Sequence, residues 1–447
     1  MKKYLTFIAA AMMATACQND DSVTGQLQTG DPIKFSVAER GITRAPGEVN
    51  TKQDLALTKK PFGVFASFTS ELKYENTTVK ADYMYNQKVM AVGPEGAAIT
   101  EETEPTDYVW EYAPVKYWPN STDLETGKLI HYTSFFAYWP YEANPREGSE
   151  TGIIDMSKNT DYGDPWINFR LPQYPWGYGK PNQANYIEPQ QVDLMYGVKK
   201  MSETEAEDGI VNDELFFDQQ KPSDPINDKV NFIFRHALAC FADSILIKYE
   251  SIDEPEDELD IEDIIEDYAS IEITKLTITY KNLCTKGRLV LNSPSGPNWK
   301  EIISGELTTE RVYVKDEWAE YPDGFKLKLS SELSDDEKAQ GGQVLSVNDG
   351  LFYIPMVVKG CEKPYAEITI NYILTLPGED VDHPVKKEGT ATTMVPMQTL
   401  TAGHKEPIHI TITKNLDLLH IIYQLPESSD PEEQSKADGP SWSREIK

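Results

Sequence analysis

The side chains of this 447-residue chain that could do chemistry are six histidines, four cysteines and 73 acidic residues. Zinc hydrolysis on a helix needs the spacing His-Glu-x-x-His, which is absent; His404 and His409 are five positions apart, off any shared helical face. Nucleophilic acyl transfer would call for a Gly-x-Ser-x-Gly elbow, and phosphate binding for a glycine-rich loop ending in Gly-Lys; neither occurs. Glycosidase carboxylates are defined by a separation in space, and no pair of acids here is singled out by position. Ten acidic residues without a basic one between 253 and 267 suggest calcium, but no glycine supplies the sharp turn of an EF-hand loop. Ile261, Ile264, Ile265 and Tyr268 fall on one helical face, so this stretch is read as a solvated acidic helical insertion. His236 is read as a satisfied strand-end histidine. The chain is therefore expected to have no enzymatic activity, no cofactor and no metal.

One thiol does carry chemistry. Lys2 and Lys3 precede an apolar run over 4–16 that ends Ala14-Thr15-Ala16-Cys17. A charged start, a short apolar core and small residues at its end make a secretory signal peptide, too short to span a bilayer as a helix. The ending resembles a bacterial lipobox, with alanine where leucine is more usual, in which Cys17 is lipidated (palmitate) and becomes the mature N-terminus. Gln18-Asn19-Asp20-Asp21 is similar to the acidic export tag of surface lipoproteins in Bacteroides-like bacteria. The expected location is the outer membrane, lipid-anchored and surface-exposed. Cys240, Cys284 and Cys361 sit in strand-like contexts and are read as buried cysteines. A formal charge of -31 repels phosphate backbones, so nucleic acid is a poor partner and membrane contact is expected through the N-terminal lipid alone.

A second candidate for binding is aromatic. Trp166, Trp176 and Tyr178 lie in a Pro- and Gly-rich stretch over 144–191, where exposed rings could stack on sugar faces. This is the basis of an alternative function, a surface glycan-binding lipoprotein. The structural alternative is a long loop folded onto its own sheet.

The elements that must position these residues are strands. Val230, Phe232 and Phe234 alternate with Asn231, Ile233 and Arg235, and Ile245, Ile247 and Tyr249 resume the alternation after a break at 236–239. Phe62, Val64, Ala66 and Phe68 share one strand face, and 131–141 is an aromatic strand. Farther on, Ile271 and Ile273 give way to Leu276, Ile278 and Tyr280 with a one-residue slip, which predicts a bulge. Ile368 to Leu376 and Ile408 to Ile412 alternate regularly. Many short strands with turn signals between them predict an all-β fold of sandwich type, not a parallel sheet with helices. An acidic, Pro-containing gap over 201–228 marks a linker, giving a signal peptide at 1–17, β-sandwich domains at 18–225 and 226–415, and a C-terminal strand and acidic tail at 416–447.

The run VNFIFRHALAC at 230–240 resembles a motif of fimbrillin-like (Mfa-like) lipoproteins of Bacteroides and relatives. Tyr117-Trp118-Pro119, the strand HYTSFFAYWPY at 131–141 and Asp193-Leu194-Met195-Tyr196 are similar to the same family's pattern in the same order. The resemblance implies two transthyretin-like β-sandwich domains in tandem and a structural subunit or adhesin of a surface fimbria (pilus). It also implies assembly by proteolysis-triggered strand exchange with other subunits, and possible contact with a host or bacterial surface ligand. In such proteins an arginine after the first strand is cut. Arg44, followed by Ala45, is the candidate here, with Arg40 second. The displaced strand would carry Ile33, Phe35 and Val37. The strand donated to a neighbour would carry Leu418, Ile421, Tyr423 and Leu425. The acidic residues before Trp442 depart from a compact family ending.

Overall fold

Alternating β-branched and aromatic side chains dictate the secondary structure nearly everywhere: each such run has one face to bury, and pairing edge to edge satisfies its backbone. The computed structural model describes residues 30–38, 52–70, 73–199, 213–251, 270–314, 325–397, 402–415 and 418–424, with short gaps at 101–102, 105–107, 180–182, 226, 302–305, 329–331, 348, 358–361, 377–383 and 404. Among the described residues the fold is all-β apart from two short helices and one 3-10 turn.

The N-terminal elements are β1 (Phe35–Val37), α1 (Lys52–Leu57), β2 (Phe62–Ser70), β3 (Met84–Val92), β4 (Val109–Glu111), β5 (His131–Trp139), β6 (Ile153–Met156), β7 (Trp166–Arg170), β8 (Met195–Val198), β9 (Phe216–Gln219) and β10 (Val230–His236). Eight of these strands form one sheet in the order β2-β3-β4-β1-β10-β8-β5-β9, and β5 also pairs with β2. The pairings therefore run round a closed ring in which β1 is one stave. Its interior holds Ile33, Phe35, Val37, Phe62, Val64, Trp110, Phe135, Phe232 and Phe234, all buried. Gly197 on β8 makes one close approach possible, since a Cβ there would lie 2.8 Å from the Phe232 ring.

The C-terminal strands are β11 (Ala239–Ser251), β12 (Ser270–Cys284), β13 (Lys286–Val290), β14 (Asn298–Glu301), β15 (Glu306–Val314), β16 (Phe325–Lys326), β17 (Gln343–Val347), β18 (Leu351–Tyr353), β19 (Tyr365–Leu376), β20 (Val385–Pro396), β21 (Lys405–Asn415) and β22 (Leu418–Gln424), with α2 (Asp335–Gln340) between β16 and β17. One sheet has the path β17-β11-β21-β22 with β18 on β11, and another β15-β12-β19-β20 with β16 on β12. Isoleucines from both, Ile245 and Ile247 on one and Ile273, Ile278, Ile368 and Ile370 on the other, fill the same core. The bulge expected in β12 is present, with the register shifting between Ile273 and Lys275.

Three readings are corrected. The stretch expected to open a second domain is divided between sheets: β10 completes the N-terminal ring and only β11 enters a C-terminal sheet, so strand pairing runs past the expected boundary at 225/226. Part of the expected linker is the strand β9, paired with β5. Trp166 begins a strand instead of lying in a loop, because β6 and β7 join β13 and β14 in a four-stranded sheet. The acidic insertion at 253–267 lies outside the described residues. The helix that is described, α2, was not expected; its Ser334–Glu337 capping box and left-handed Gly341 are its sequence signature.

Candidate functional site

Residues 31–38 form a short segment of the N-terminal ring that is paired on both sides. Ile33, Phe35 and Val37 point inward and are at most 5% exposed, while Ser36 on the outer face donates from Oγ to Asn231 Oδ1 at 2.8 Å. On one side β1 runs parallel to β10, with Phe35 opposite Val230 and Val37 opposite Phe232. The Val230 amide donates to Lys34 O at 2.9 Å and the Ala38 amide to Phe232 O at 2.8 Å. On the other side Phe35 is opposite Trp110 of antiparallel β4. There the Ile33 amide donates to Lys116 O and the Trp118 amide to Asp31 O, both at 2.9 Å. Lys221 Nζ lies 2.5 Å from Asp31 Oδ2 and pins the start of the segment.

The interior contacts are aromatic. The Phe35 ring is 5.2 Å from Tyr112, 6.0 Å from Phe135, 6.1 Å from Phe232 and 6.5 Å from Phe62, measured between centroids. Tyr112 adds a polar clasp: its hydroxyl donates to Ile33 O at 2.8 Å and also lies 3.2 Å from Lys116 O. Burial pushes the Tyr112 phenol up to about 12, so it stays a donor at physiological pH. Three buried side chains at about 1.5–3 kcal/mol each give this segment a gross hydrophobic hold of roughly 4–9 kcal/mol. The site holds a segment by shape and ladder; no reactive group takes part.

Among the described residues, three polar atoms of this interior have no hydrogen-bond partner: Trp110 Nε1, Trp118 Nε1 and Thr133 Oγ1. All three residues are at least nine-tenths buried. Nothing local in the sequence connects 110–112 and 115–119 to residues 33–37. The signal available was the alternation of Trp110 with Tyr112, matching that of the segment they flank.

The other expected site residues fall apart from this seam. β22 is the end strand of its sheet, antiparallel to β21 with Ile421 opposite Ile412 and Tyr423 opposite Ile410. Leu418, Ile421 and Tyr423 lie on its described backbone; Leu425 lies outside the described residues, as do Cys17, Arg40, Arg44, Ala45 and Cys361. Arg288 covers the Trp166 ring at 3.9 Å. Trp176 stacks on Tyr280 at 5.6 Å and donates its indole N–H to Asp349 O at 2.9 Å, so it anchors the loop to the C-terminal sheets. Tyr178 is exposed and 5.3 Å from Tyr174. Cys240 and Cys284 are buried, and Cys284 Sγ donates to Lys286 O at 3.1 Å. Among the described residues no cluster of three or more His, Cys, Asp or Glu is placed to hold a metal ion, and no helix is long and apolar enough to cross a membrane.

No family model matches the chain. In sequence it is similar to fimbrium subunit Fim1C of Phocaeicola vulgatus, 25% identical over 171 residues. That match spans 38% of this chain and 38% of the relative's length. In structure it is similar to a fimbrial protein from Bacteroides vulgatus, with a TM-score of 0.53 and 20% sequence identity over 88% of this chain and 98% of the other. The resemblance to fimbrial proteins of Bacteroides relatives thus extends from short motifs to the fold.

Proposed function

We propose that the chain is a subunit of a bacterial surface fimbria, exported as a lipoprotein anchored through Cys17 and joined to neighbouring subunits by strand exchange at the β1 seam. The observation that carries this reading is the position of β1. A strand of three residues closes the ring, has a partner on each side, and covers an aromatic core. Cutting the chain after Arg44 would leave that strand held by its own ladder and contacts alone, with no covalent tie to the rest of the fold. Once it leaves, backbone groups on β4 and β10 and the rings around Phe35 face solvent. A segment from another subunit is the natural replacement, with main-chain hydrogen bonds for affinity and alternate side chains for fit. β22 is the candidate donor, because an end strand gives up one ladder to leave where an inner strand gives up two.

Treating purified precursor with an arginine-specific protease is expected to convert it to a ladder of SDS-resistant oligomers. Cleavage confirmed at Arg44 with the protein still monomeric would reject the polymerising role. The lipoprotein step is checked separately by mass spectrometry of protein recovered from cells, where the N-terminus is expected to be lipid-modified Cys17 before cleavage and Ala45 after it.

A further inference from the structure

The outer face of the four-stranded sheet β14-β13-β7-β6 carries cations in a chain whose acids outnumber its bases 73 to 42. Its inner face is apolar, with Ile167, Phe169 and Leu289 buried in the core. Strand pairing sets the outer residues in rows. Arg170 of β7 is opposite Lys286 of β13, and Arg288 of β13 is opposite Lys300 of β14. Like charges directly opposite each other in an antiparallel pair are destabilising, and here two such pairs lie side by side.

The first pair is neutralised from within the chain. Glu147 reaches both cations, one carboxylate oxygen accepting from Lys286 Nζ and the other from Arg170 Nη1. The hydrogen bonds from Lys286 and Arg170 hold its carboxyl below the ordinary glutamate range. The second pair has no such bridge: among the described residues neither Arg288 nor Lys300 forms an ion pair. Arg288 is nevertheless fixed in place. Its Nε–H donates to Oδ1 of buried Asn168 at 3.0 Å, and its guanidinium carbon lies 3.9 Å from the centre of the Trp166 ring. Asn168 stands between it and Asp155, the acid in the same row. A guanidinium held at one N–H and stacked on a ring has little freedom left to lose, and its remaining N–H groups form the fork that a carboxylate fits.

The next row on this face is Trp166, Val290 and Asn298. Val290 is half-buried, and Asn298 donates from Nδ2 to Asn292 Oδ1 at 2.6 Å, which fixes its amide with Oδ1 still available as an acceptor. An apolar floor with a hydrogen-bonding amide, set beside a seat for one carboxylate, matches a sugar ring that bears an acid. A formal charge of -31 repels a polyanion, while a single carboxylate meets the local cation pair first. We propose that Arg288 and Lys300 bind a carboxylated sugar at the end of an otherwise neutral glycan. Its carboxylate bridges the two cations as Glu147 bridges Arg170 and Lys286, and its ring lies over Val290 beside Trp166 with a hydroxyl donating to Asn298 Oδ1.

The test uses uncut full-length protein, so its outcome is independent of cleavage and strand exchange. The probes are disaccharides ending in glucuronic acid or in sialic acid, a neutral disaccharide ending in glucose, and a short peptide with one glutamate, each titrated by ligand-observed NMR. At least one acidic disaccharide is expected to bind, and the neutral one to bind about tenfold more weakly or less, the loss of one charge-assisted hydrogen bond. Arg288→Ala is expected to weaken acidic-sugar binding by at least about the same factor. Lys300→Glu supplies the missing carboxylate from within the chain; it is expected to abolish binding and to raise the melting temperature, a gain that a damaged fold would not show. Failure of both acidic disaccharides to bind overturns the proposal. So does equal binding of acidic and neutral sugars, or acidic-sugar binding that survives Lys300→Glu. A glutamate peptide that binds as tightly as the sugar assigns the seat to an acidic protein partner and removes the glycan.

Discussion

At the scale of single residues the seam is held by one large ring and one hydroxyl. Phe35→Ala removes a buried phenyl from among four aromatic neighbours, and such truncations cost about 3–5 kcal/mol. If β1 contributes to the precursor's stability as its burial implies, chemical denaturation of the uncut protein should show a loss of that size. Tyr112→Phe removes the donor to Ile33 O together with the hydroxyl's longer contacts to the Lys116 backbone, and a net cost of roughly 0.5–1.5 kcal/mol is expected. The same tyrosine gives the seam a pH dependence. Its phenol is raised in the folded state, so the stabilisation is full below the ordinary tyrosine range near pH 10 and is lost as pH rises from there through about 12. Hydrogen exchange of the Ile33 and Lys34 amides should therefore accelerate across that window more in wild type than in Tyr112→Phe. An identical pH response in the two proteins would show that the hydroxyl is not a clasp.

At the scale of elements the contrast is between a strand that is short but inner and one that is longer but terminal. β1 lies between two neighbours, whereas β22 lies beyond β21 at the end of its sheet. Truncation after Lys414 is accordingly expected to leave a folded monomer with a near-native strand signal by circular dichroism, and to stop ladder formation. Collapse of the whole fold on truncation would mean that β22 is a core element and an unsuitable donor. Individual strands were legible in the sequence because a two-residue period needs only local information: Phe62 to Phe68, Ile271 to Tyr280 and Ile408 to Ile412 all lie in the expected strands, and the phase slip near Ile273 marked a bulge. Pairing was not legible. That β1 lies beside β10, some two hundred residues along the chain, depends on the sum of many weak cross-strand preferences, and no single alternation encodes it. For the same reason nothing local in the sequence joins Trp110, Tyr112 and Trp118 to residues 33–37. Trp176 was misleading for a different reason: an aromatic between proline and glycine looks exposed, yet its ring had Tyr280 to stack on.

At the scale of the whole molecule the dominant quantity is charge. A formal charge of -31 on each copy means that two copies approaching each other repel. Joining by the proposed strand exchange would, by contrast, be driven by apolar burial and main-chain hydrogen bonds, which salt does not screen. The two contributions separate by ionic strength. Repulsion reaches roughly 30 Å at 0.01 M salt and about 8 Å at 0.15 M, so encounter should be slow in dilute buffer and faster at physiological salt, while the finished joint is little affected. Ladder formation after protease treatment is therefore expected to accelerate several-fold between 0.01 and 0.15 M sodium chloride, with ladder dissociation unchanged. Attraction between opposite charges on two subunits would produce the reverse, with rates falling as salt is added. That result would move the recognition step from an apolar seam to a charged surface, and a charge-reversal scan of the exposed lysines would then replace the strand variants as the informative experiment.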